Sequence, residues 1–236
     1  MTVPADRNGA DLSAPDYHGH RARLRQRLVD HGGEGLHDHE LIEYLLALAI
    51  PRRDTKPLAK ALLAEFGGIG GLMAATPQSL LRVKGMGDTS VAALRIVQAT
   101  VQRLLKAEVA AKPVIANWQA LLDYLRADMA FHPVERVRVL HLNTRNMLIR
   151  DEVVAQGTID EAAVHVREIL KRAIELGSAA IILVHNHPGG DPSPSRADIE
   201  LTRSIAASLK TPGIALHDYI IVGAQGHVSL RAQGLL

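Results

Sequence analysis

The chain has 236 residues, of which 47% are hydrophobic, and a formal net charge of +2 at pH 7. This length and composition suit one large globular domain or two small ones, and they exclude an intrinsically disordered chain. The sequence contains no cysteine, which excludes disulfides, thiol nucleophiles and thiolate metal ligands. A metal site would therefore have to use histidines and carboxylates. The scarcity of aromatic residues, 3% of the chain, argues against a base-stacking platform for single-stranded nucleic acid.

The first 17 residues, MTVPADRNGADLSAPDY, are polar and contain proline and glycine. We expect a disordered tail here, because the segment is polar and lacks the basic start and apolar stretch of a signal peptide. No apolar run approaches the roughly 20 residues of a membrane span. Together with the absence of cysteine, these features predict a cytoplasmic protein that does not enter a membrane.

Residues 18–108 have the apolar spacing of amphipathic helices joined by turns that contain glycine. The segment HELIEYLLALAI predicts a helix that Pro51 ends, and TKPLAKALLAEF predicts another that runs into Gly67 and Gly68. A short helix, a K-G-M-G-D turn and a longer helix follow Thr76. This part of the chain is therefore predicted to be an all-helical domain.

The pattern changes after a short linker predicted at residues 109–113, and residues 114–236 alternate between helical and strand-like segments. The run AAIILV is continuously apolar, as expected of a strand at the centre of a sheet. The final segment, DYIIVGAQGHVSL, is typical of a closing hairpin. The predicted fold class is α/β, with helices packed against a sheet after the all-helical domain.

The stretch VHNHPGGDPSPSRAD, residues 184–198, follows AAIILV directly. In an extended segment the side chains of His185 and His187 point to the same side, so both imidazoles can face one point. A hydrolytic zinc site needs three protein ligands and one open position. Asp198 is the natural third ligand, because the proline-braced loop limits how far it can lie from the strand end.

Each part of this motif also has an interpretation that needs no metal. Ser195 and Asp198 form a capping-box pattern for the following helix, and a His-x-His pair is often no more than two ordinary histidines. The literal string H-N-H is a coincidence, since the nuclease class of that name takes its letters from dispersed residues. The metal hypothesis depends on the combination, because a capping box needs neither histidine.

The composite motif resembles the JAMM (MPN+) metalloproteases, whose pattern is His-x-His, seven residues, Ser, two residues, Asp. The segments FHPVERVRVLHLNTRN, AQGTID, HVREILKRAIELGSAAIILVHNHP and LHDYIIVG are similar to the RadC branch of that family, and the similarity runs from about residue 20 to the C-terminus. The resemblance implies an α-β-α sandwich of the MPN type, which is similar to cytidine deaminases, carrying one zinc ion per chain.

Carried over by motif position, the resemblance implies that His185, His187 and Asp198 are the zinc ligands. It implies that Ser195 stabilises the developing oxyanion and that Glu135, in H-P-V-E-R-V, is the general acid/base. The residues alone leave Glu152 and Glu168 open as alternatives to Glu135, since a Glu at the start of a strand is usually a solvated charge.

The sequence departs from the family pattern at three places: Gly189 stands where Ser is common, Val166 stands where Pro is common, and Asp218-Tyr219 stands where Asp-His is usual. None of these departures removes a ligand. The implied activity is a zinc-dependent hydrolase acting on a peptide or isopeptide bond in a protein or peptide substrate. The alternatives are a DNA-associated repair or recombination protein whose zinc domain acts on DNA, and a metal-stabilised scaffold without turnover.

The segment LLRVKGMGDTSVAALRIV resembles a helix-hairpin-helix, which suggests contact with the DNA backbone. The expected contacts are Lys84, Gly85, Gly87 and Arg95, since glycines permit close approach and basic side chains neutralise phosphates. Binding of this kind would be independent of sequence and weakened by salt. The alternative is that Gly-x-Gly marks an ordinary corner between helices and that the basic residues form a solvated face.

Overall fold

The computed structural model describes residues 17–157 and 165–236. The predicted disordered tail at residues 1–17 lies outside the described residues except for Tyr17, which begins the first helix. Within the described part of the chain, no helix is long and apolar enough to cross a membrane.

The first part of the chain is helical, as its spacing predicts. Its helices are α1 (Tyr17–His31), α2 (Asp38–Ala49), α3 (Lys56–Glu65), α4 (Ile69–Ala74), α5 (Pro77–Arg82) and α6 (Asp88–Ala111). Helices α2 to α6 share one hydrophobic core whose members include Ile42, Leu62 and Leu94. Helix α3 ends before Gly67 and Gly68, both of which have positive φ angles, 69° and 104°, so the predicted glycine stop is confirmed.

Two features of this helical part differ from the predictions. Helix α6 continues to Ala111, so most of the segment predicted as a linker at residues 109–113 is helical. Buried Val109 explains this extension, because it packs into the core of the following sheet. Helix α4 was not predicted either, because Gly70 and Gly71 lower its helix propensity.

The second part of the chain is a mixed sheet between two layers of helix. Its elements are α7 (Trp118–Met129), β1 (Glu135–Leu142), β2 (Leu148–Gly157), α8 (Val166–Glu175), β3 (Ala180–Asn186), α9 (Arg196–Lys210), β4 (Ala215–Gly223) and β5 (Gly226–Ser229). The strand order is β2-β1-β3-β4-β5, in which β3 and β4 are parallel and the other neighbours are antiparallel.

Strand alternation sorts the side chains of the sheet into two cores. Ile182 and Val184 on β3 face helix α7, whereas Ile181 and Leu183 face helices α8 and α9. All seven residues of β3 are buried, as the continuous apolar run AAIILV predicts for a central strand. The α/β fold class and the layered helix-sheet-helix arrangement expected from the sequence are confirmed.

Candidate metal centre

The two histidines of the motif lie at the carboxyl end of the central strand. His185 is the penultimate residue of β3 and His187 follows the strand directly. Their ring centroids are 4.9 Å apart and the rings are nearly perpendicular, at 89°. The period of two residues in an extended chain places both rings on one side of the sheet, as the sequence predicts.

Asp198 lies in the first turn of α9 and its carboxylate reaches back to this strand end. Ser195 is the N-cap of α9, and its hydroxyl accepts from the backbone N–H of Asp198 at 3.1 Å. In return Asp198 Oδ2 accepts from the Ser195 N–H at 2.8 Å and from its hydroxyl at 2.6 Å. The capping box is therefore present, and the same cap orients the Asp198 carboxylate toward the histidines.

A hydrogen bond from Nδ1 of each imidazole fixes the orientation of the ring. His187 Nδ1–H donates to the backbone carbonyl of Asp191 at 2.9 Å, and His185 Nδ1–H donates to Asp198 Oδ1 at 3.0 Å. Each bond leaves the Nε2 atom of that ring with a free lone pair. A hydrogen bond on the far ring nitrogen is the usual way in which proteins orient a metal-binding histidine.

One ligand atom from each of His185, His187 and Asp198 lies within 4.8 Å of the other two. The group combines two imidazoles with a carboxylate, and it is well shielded, since Asp198 is 5% and His185 6% exposed. A buried carboxylate without compensating charge is costly, so this enclosure favours a cationic partner. The three residues form a candidate site for one metal ion.

The electrostatics of the cluster keep its carboxylate ionised. Burial alone raises the pKa of Asp198, but the hydrogen bonds from His185 and Ser195, together with the nearby His187 ring, outweigh it and hold the pKa well below its usual range. Conversely, the Asp198 carboxylate, 3.6 Å from His187 Nε2, raises the pKa of His187 above its ordinary value. The Asp198 carboxylate is therefore ionised at neutral pH and is available to a cation.

Glu135 lies beside this cluster. It begins β1, two residues before Val137, which pairs with His185 in the β1–β3 ladder. Its Oε2 atom is 3.8 Å from His185 Nε2. The other two candidates lie elsewhere: Glu152 forms an ion pair with Arg172 at 3.0 Å, and Glu168 is exposed on α8. Of these three glutamates, Glu135 is the one that lies beside the histidines.

Comparison with known proteins assigns both parts of the chain to known families. Residues 115–235 match the family model described as the RadC-like JAB domain, and residues 19–92 match the UPF0758 N-terminal model. The chain is 48% identical over 213 residues to a UPF0758 protein of Rhodobacter capsulatus, covering 90% of this chain and 100% of that protein. It is 44% identical over 217 residues to a UPF0758 protein of Ruegeria pomeroyi, covering 92% and 97% respectively.

The chain belongs to the RadC-like UPF0758 family. The resemblance drawn from the motif is thereby confirmed, and the RadC-like JAB domain accounts for the sheet and its flanking helices. The names of these two relatives state no reaction or substrate.

The contacts of two residues near the candidate metal centre were not predicted from the sequence. The hydroxyl of Tyr219 on β4 donates to Asp198 Oδ1 at 3.2 Å, so the position where this chain departs from the usual Asp-His pair contacts a candidate ligand. Asn186, between the two histidines, is completely buried and holds the segment around Glu135. An amide beside His185 at the end of a buried strand was the available signal for Asn186, because buried amides require partners.

The residues expected to contact DNA lie where helices α5 and α6 meet in the UPF0758 N-terminal region. Lys84 and Gly87 are exposed in this corner, and Gly85 has a φ of 104°. Arg95 points inward instead, and its guanidinium donates to the carbonyl oxygens of Ala75 and Met73. The sequence reasoning also missed a further basic group, since the guanidinium of Arg53 lies against Gly85.

Proposed function

We propose that this RadC-like protein is a zinc-dependent hydrolase that cleaves an amide bond of the peptide or isopeptide type. The observation that carries the proposal is the grouping of His185, His187 and Asp198 around one point, with Glu135 Oε2 3.8 Å from His185 Nε2. A ligand group with a carboxylate beside it is the arrangement that hydrolysis requires, whereas a structural metal site needs no such neighbour.

The chemistry of the donor set supports zinc. Two imidazoles and one carboxylate supply three protein ligands, which is the number found in catalytic zinc sites that keep one position open. A bound zinc ion supplies Lewis acidity and a water molecule whose pKa is lowered toward neutrality. The cytoplasm suits such a protein, because the cysteine-free composition fits a reducing compartment.

The protein's own residues then have distinct tasks. The Glu135 carboxylate holds the proton that leaves the attacking water, and it returns a proton to the departing amine. His187 keeps its orientation through Asp191, and Asp198 keeps its orientation through the capping box with Ser195. Ser195 is an exposed residue at the edge of the cluster, and its hydroxyl is the proposed hydrogen-bond donor to the developing oxyanion. To donate there the hydroxyl turns its proton away from Asp198 Oδ2, which the backbone N–H of Ser195 continues to hold at 2.8 Å.

The first test measures zinc per chain in protein purified without added metal, together with cleavage of a peptide library by mass spectrometry. We expect about one zinc in the wild type and in Glu135→Gln, little in His187→Ala, and cleavage by the wild type but by neither of these two variants. His217→Ala is the matched control, because His217 lies on β4 and bonds Asn146 at 2.7 Å, outside the metal cluster.

A wild type that cannot be loaded with zinc would contradict the metal site. Full zinc loading without cleavage of any amide substrate would favour the scaffold alternative over the hydrolase. Equal cleavage by Glu135→Gln would remove Glu135 from the mechanism and leave the metal site intact.

A further inference from the structure

Asn186 is completely buried between the two candidate ligand histidines. Since successive side chains of a strand point to opposite faces, its amide points away from the rings of His185 and His187. It therefore does not belong to the ligand set. A buried amide must find hydrogen-bond partners elsewhere, and those partners define its role.

Within residues 17–157 and 165–236, the Asn186 side chain makes three hydrogen bonds, all to the backbone around Glu135. Its Oδ1 accepts from the N–H of Arg136 at 2.8 Å. Its Nδ2 donates to the carbonyl oxygens of His132 at 3.3 Å and of Val134 at 3.2 Å. The bonded residues thus lie on both sides of Glu135 in the chain.

The side chain replaces backbone pairing where the ladder between β1 and β3 ends. The last backbone pair at this end is Val137 with His185, so the next pair would join Arg136 to Asn186. On the other edge of β3, the backbone of Asn186 pairs with Val222 of β4; on the β1 edge it has no backbone pair among the described residues. The amide side chain therefore extends the connection from β3 to the segment that carries Glu135, beyond the last backbone pair.

We propose that Asn186 is a positioning residue that sets the distance between Glu135 and the metal ligands. This inference rests on the proposed function of Glu135, and it adds how that carboxylate is held. The two ligand histidines and the general base are fixed by one tripeptide, because His185, Asn186 and His187 follow one another on a rigid central strand. Asparagine suits the position, since one side chain both accepts and donates hydrogen bonds.

The test compares Asn186→Leu, which keeps the volume and loses all three bonds, with Asn186→Asp, which keeps an acceptor for the Arg136 N–H. Hydrogen exchange of the Arg136 amide, followed by NMR, reports directly on the hydrogen bond from the Arg136 N–H to Asn186 Oδ1. It requires neither metal nor substrate. We expect exchange roughly tenfold faster in Asn186→Leu, with protection largely restored in Asn186→Asp. Thr202→Val is the matched control, because Thr202 is equally buried and bonds the Asp198 carbonyl at 2.7 Å.

The second readout is the absorption spectrum of the Co²⁺-loaded protein at one pH. If Asn186 acts through Glu135, the Asn186→Leu spectrum shifts toward that of Glu135→Gln, and the double variant matches Glu135→Gln alone. Zinc content stays at about one per chain in all these variants. Should Asn186→Leu not fold, the comparison of Asn186→Asp with the wild type decides, through the spectrum and the zinc content.

Unchanged exchange of the Arg136 amide in Asn186→Leu would overturn the proposal. So would loss of zinc from either Asn186 variant, because Asn186 would then support the ligands and not the general base. Failure of the proposed function looks different: the wild type binds neither Zn²⁺ nor Co²⁺, while the exchange measurement still shows whether Asn186 holds the Glu135 segment.

Discussion

The hydroxyl of Tyr219 lies 3.2 Å from Oδ1 of Asp198 and 3.3 Å from Nδ1 of His185. Tyr219 is completely buried, and it occupies the position where the RadC resemblance leads one to expect histidine. The hydroxyl of Tyr219 donates to Oδ1 of Asp198, whereas Ser195 donates to Oδ2. Each carboxylate oxygen therefore has its own hydrogen-bond donor. The departure from the family pattern therefore keeps a polar contact to a candidate ligand.

Replacing Tyr219 by Phe removes this hydroxyl and retains the ring. We expect the zinc affinity to fall by about tenfold, because the second layer of hydrogen bonds orients metal ligands. Competition with a chromophoric chelator measures the change. Tyr44→Phe, on helix α2, is the control and should leave the affinity unaltered. Equal affinity in Tyr219→Phe and the wild type would show that the hydroxyl does not orient Asp198.

The loop between His187 and Ser195 depends on close contact between two glycines. A Cβ atom on Gly223 would lie 2.3 Å from the carbonyl oxygen of Gly190, whereas one on Gly189 would meet nothing within 4 Å. Gly223→Ala is therefore expected to lower the free energy of unfolding by about 1–3 kcal/mol and to reduce zinc content by displacing the loop. Urea denaturation and elemental analysis measure both effects.

Gly189→Ala is the matched control for that substitution. It should change the free energy of unfolding by less than about 0.5 kcal/mol, because its side chain enters open space. The same space would accommodate the Ser that the RadC resemblance leads one to expect at this position. If Gly189→Ala were as destabilising as Gly223→Ala, the effect would come from the flexibility of the loop and not from the contact between Gly223 and Gly190.

Periodicity and apolar runs predicted most of the fold, because the helices of the sheet domain bury one face of their sequence and the central strand β3 buries both. The apolar run AAIILV could only be a core element, and it forms the central strand. Helix α4 could not be predicted, since packing overrides its poor propensity. The Phe131 ring lies so close to Gly70 that a Cβ atom there would be 2.6 Å from it.

In the candidate site, residues close together in the sequence could be predicted, whereas contacts between residues far apart in the sequence could not. His185, His187 and Asp198 lie within 14 positions of one another in the sequence, so strand alternation and a capped helix were enough to bring them together. Asn186 and Tyr219 act across the sheet, on residues about 20 to 50 positions away. Contacts of that kind depend on strand order and register, which the motif does not contain.

Arg138 is the centre of a buried polar network that joins both parts of the chain. It is 7% exposed and contacts Asp128 and Asp151, the latter at 3.3 Å. Lys106 of helix α6 also reaches Asp151 at 3.3 Å. Replacing Arg138 by Met leaves two acidic groups without their main cation, so we expect a loss of about 3–5 kcal/mol in the free energy of unfolding.

Chemical denaturation at pH 7 measures that loss. Arg150→Met is the control, because the side chain of Arg150 is 53% exposed and its ion pair with Glu152 is 3.8 Å long; a change below about 1 kcal/mol is expected. The double variant Arg138→Met/Asp151→Asn should lose less than the sum of the single variants, since it removes one uncompensated charge. Strict additivity would contradict a coupled network.

The Arg27–Glu40 pair predicts how stability depends on pH. The hydrogen bond from Arg27 lowers the pKa of Glu40 from its ordinary 4.5 to about 2. Because the folded pKa is depressed, the stabilisation is fully present above about pH 4.5 and is lost as the pH falls toward 2. Glu40→Gln should thus cost about 1 kcal/mol at pH 7, and its difference from the wild type should shrink below pH 4.

Denaturation midpoints at pH 7, 4 and 3 in low salt measure this difference. Glu65→Gln, at an exposed position near the end of helix α3, is the control and should follow the wild type at all three values. A constant difference between Glu40→Gln and the wild type across this range would mean that the pair contributes through packing and not through charge.

The corner between helices α5 and α6 predicts different behaviour for two basic residues. Lys84 is exposed there, whereas Arg95 donates to the carbonyl oxygen of Ala75 within the helical part. If the corner binds duplex DNA, Lys84→Ala should weaken binding and reduce its salt dependence by about one charge. Arg95→Ala should instead lower the free energy of unfolding by about 1–3 kcal/mol. Fluorescence anisotropy at several salt concentrations measures the affinity, and no salt-dependent binding by the wild type would leave the corner as a packing feature.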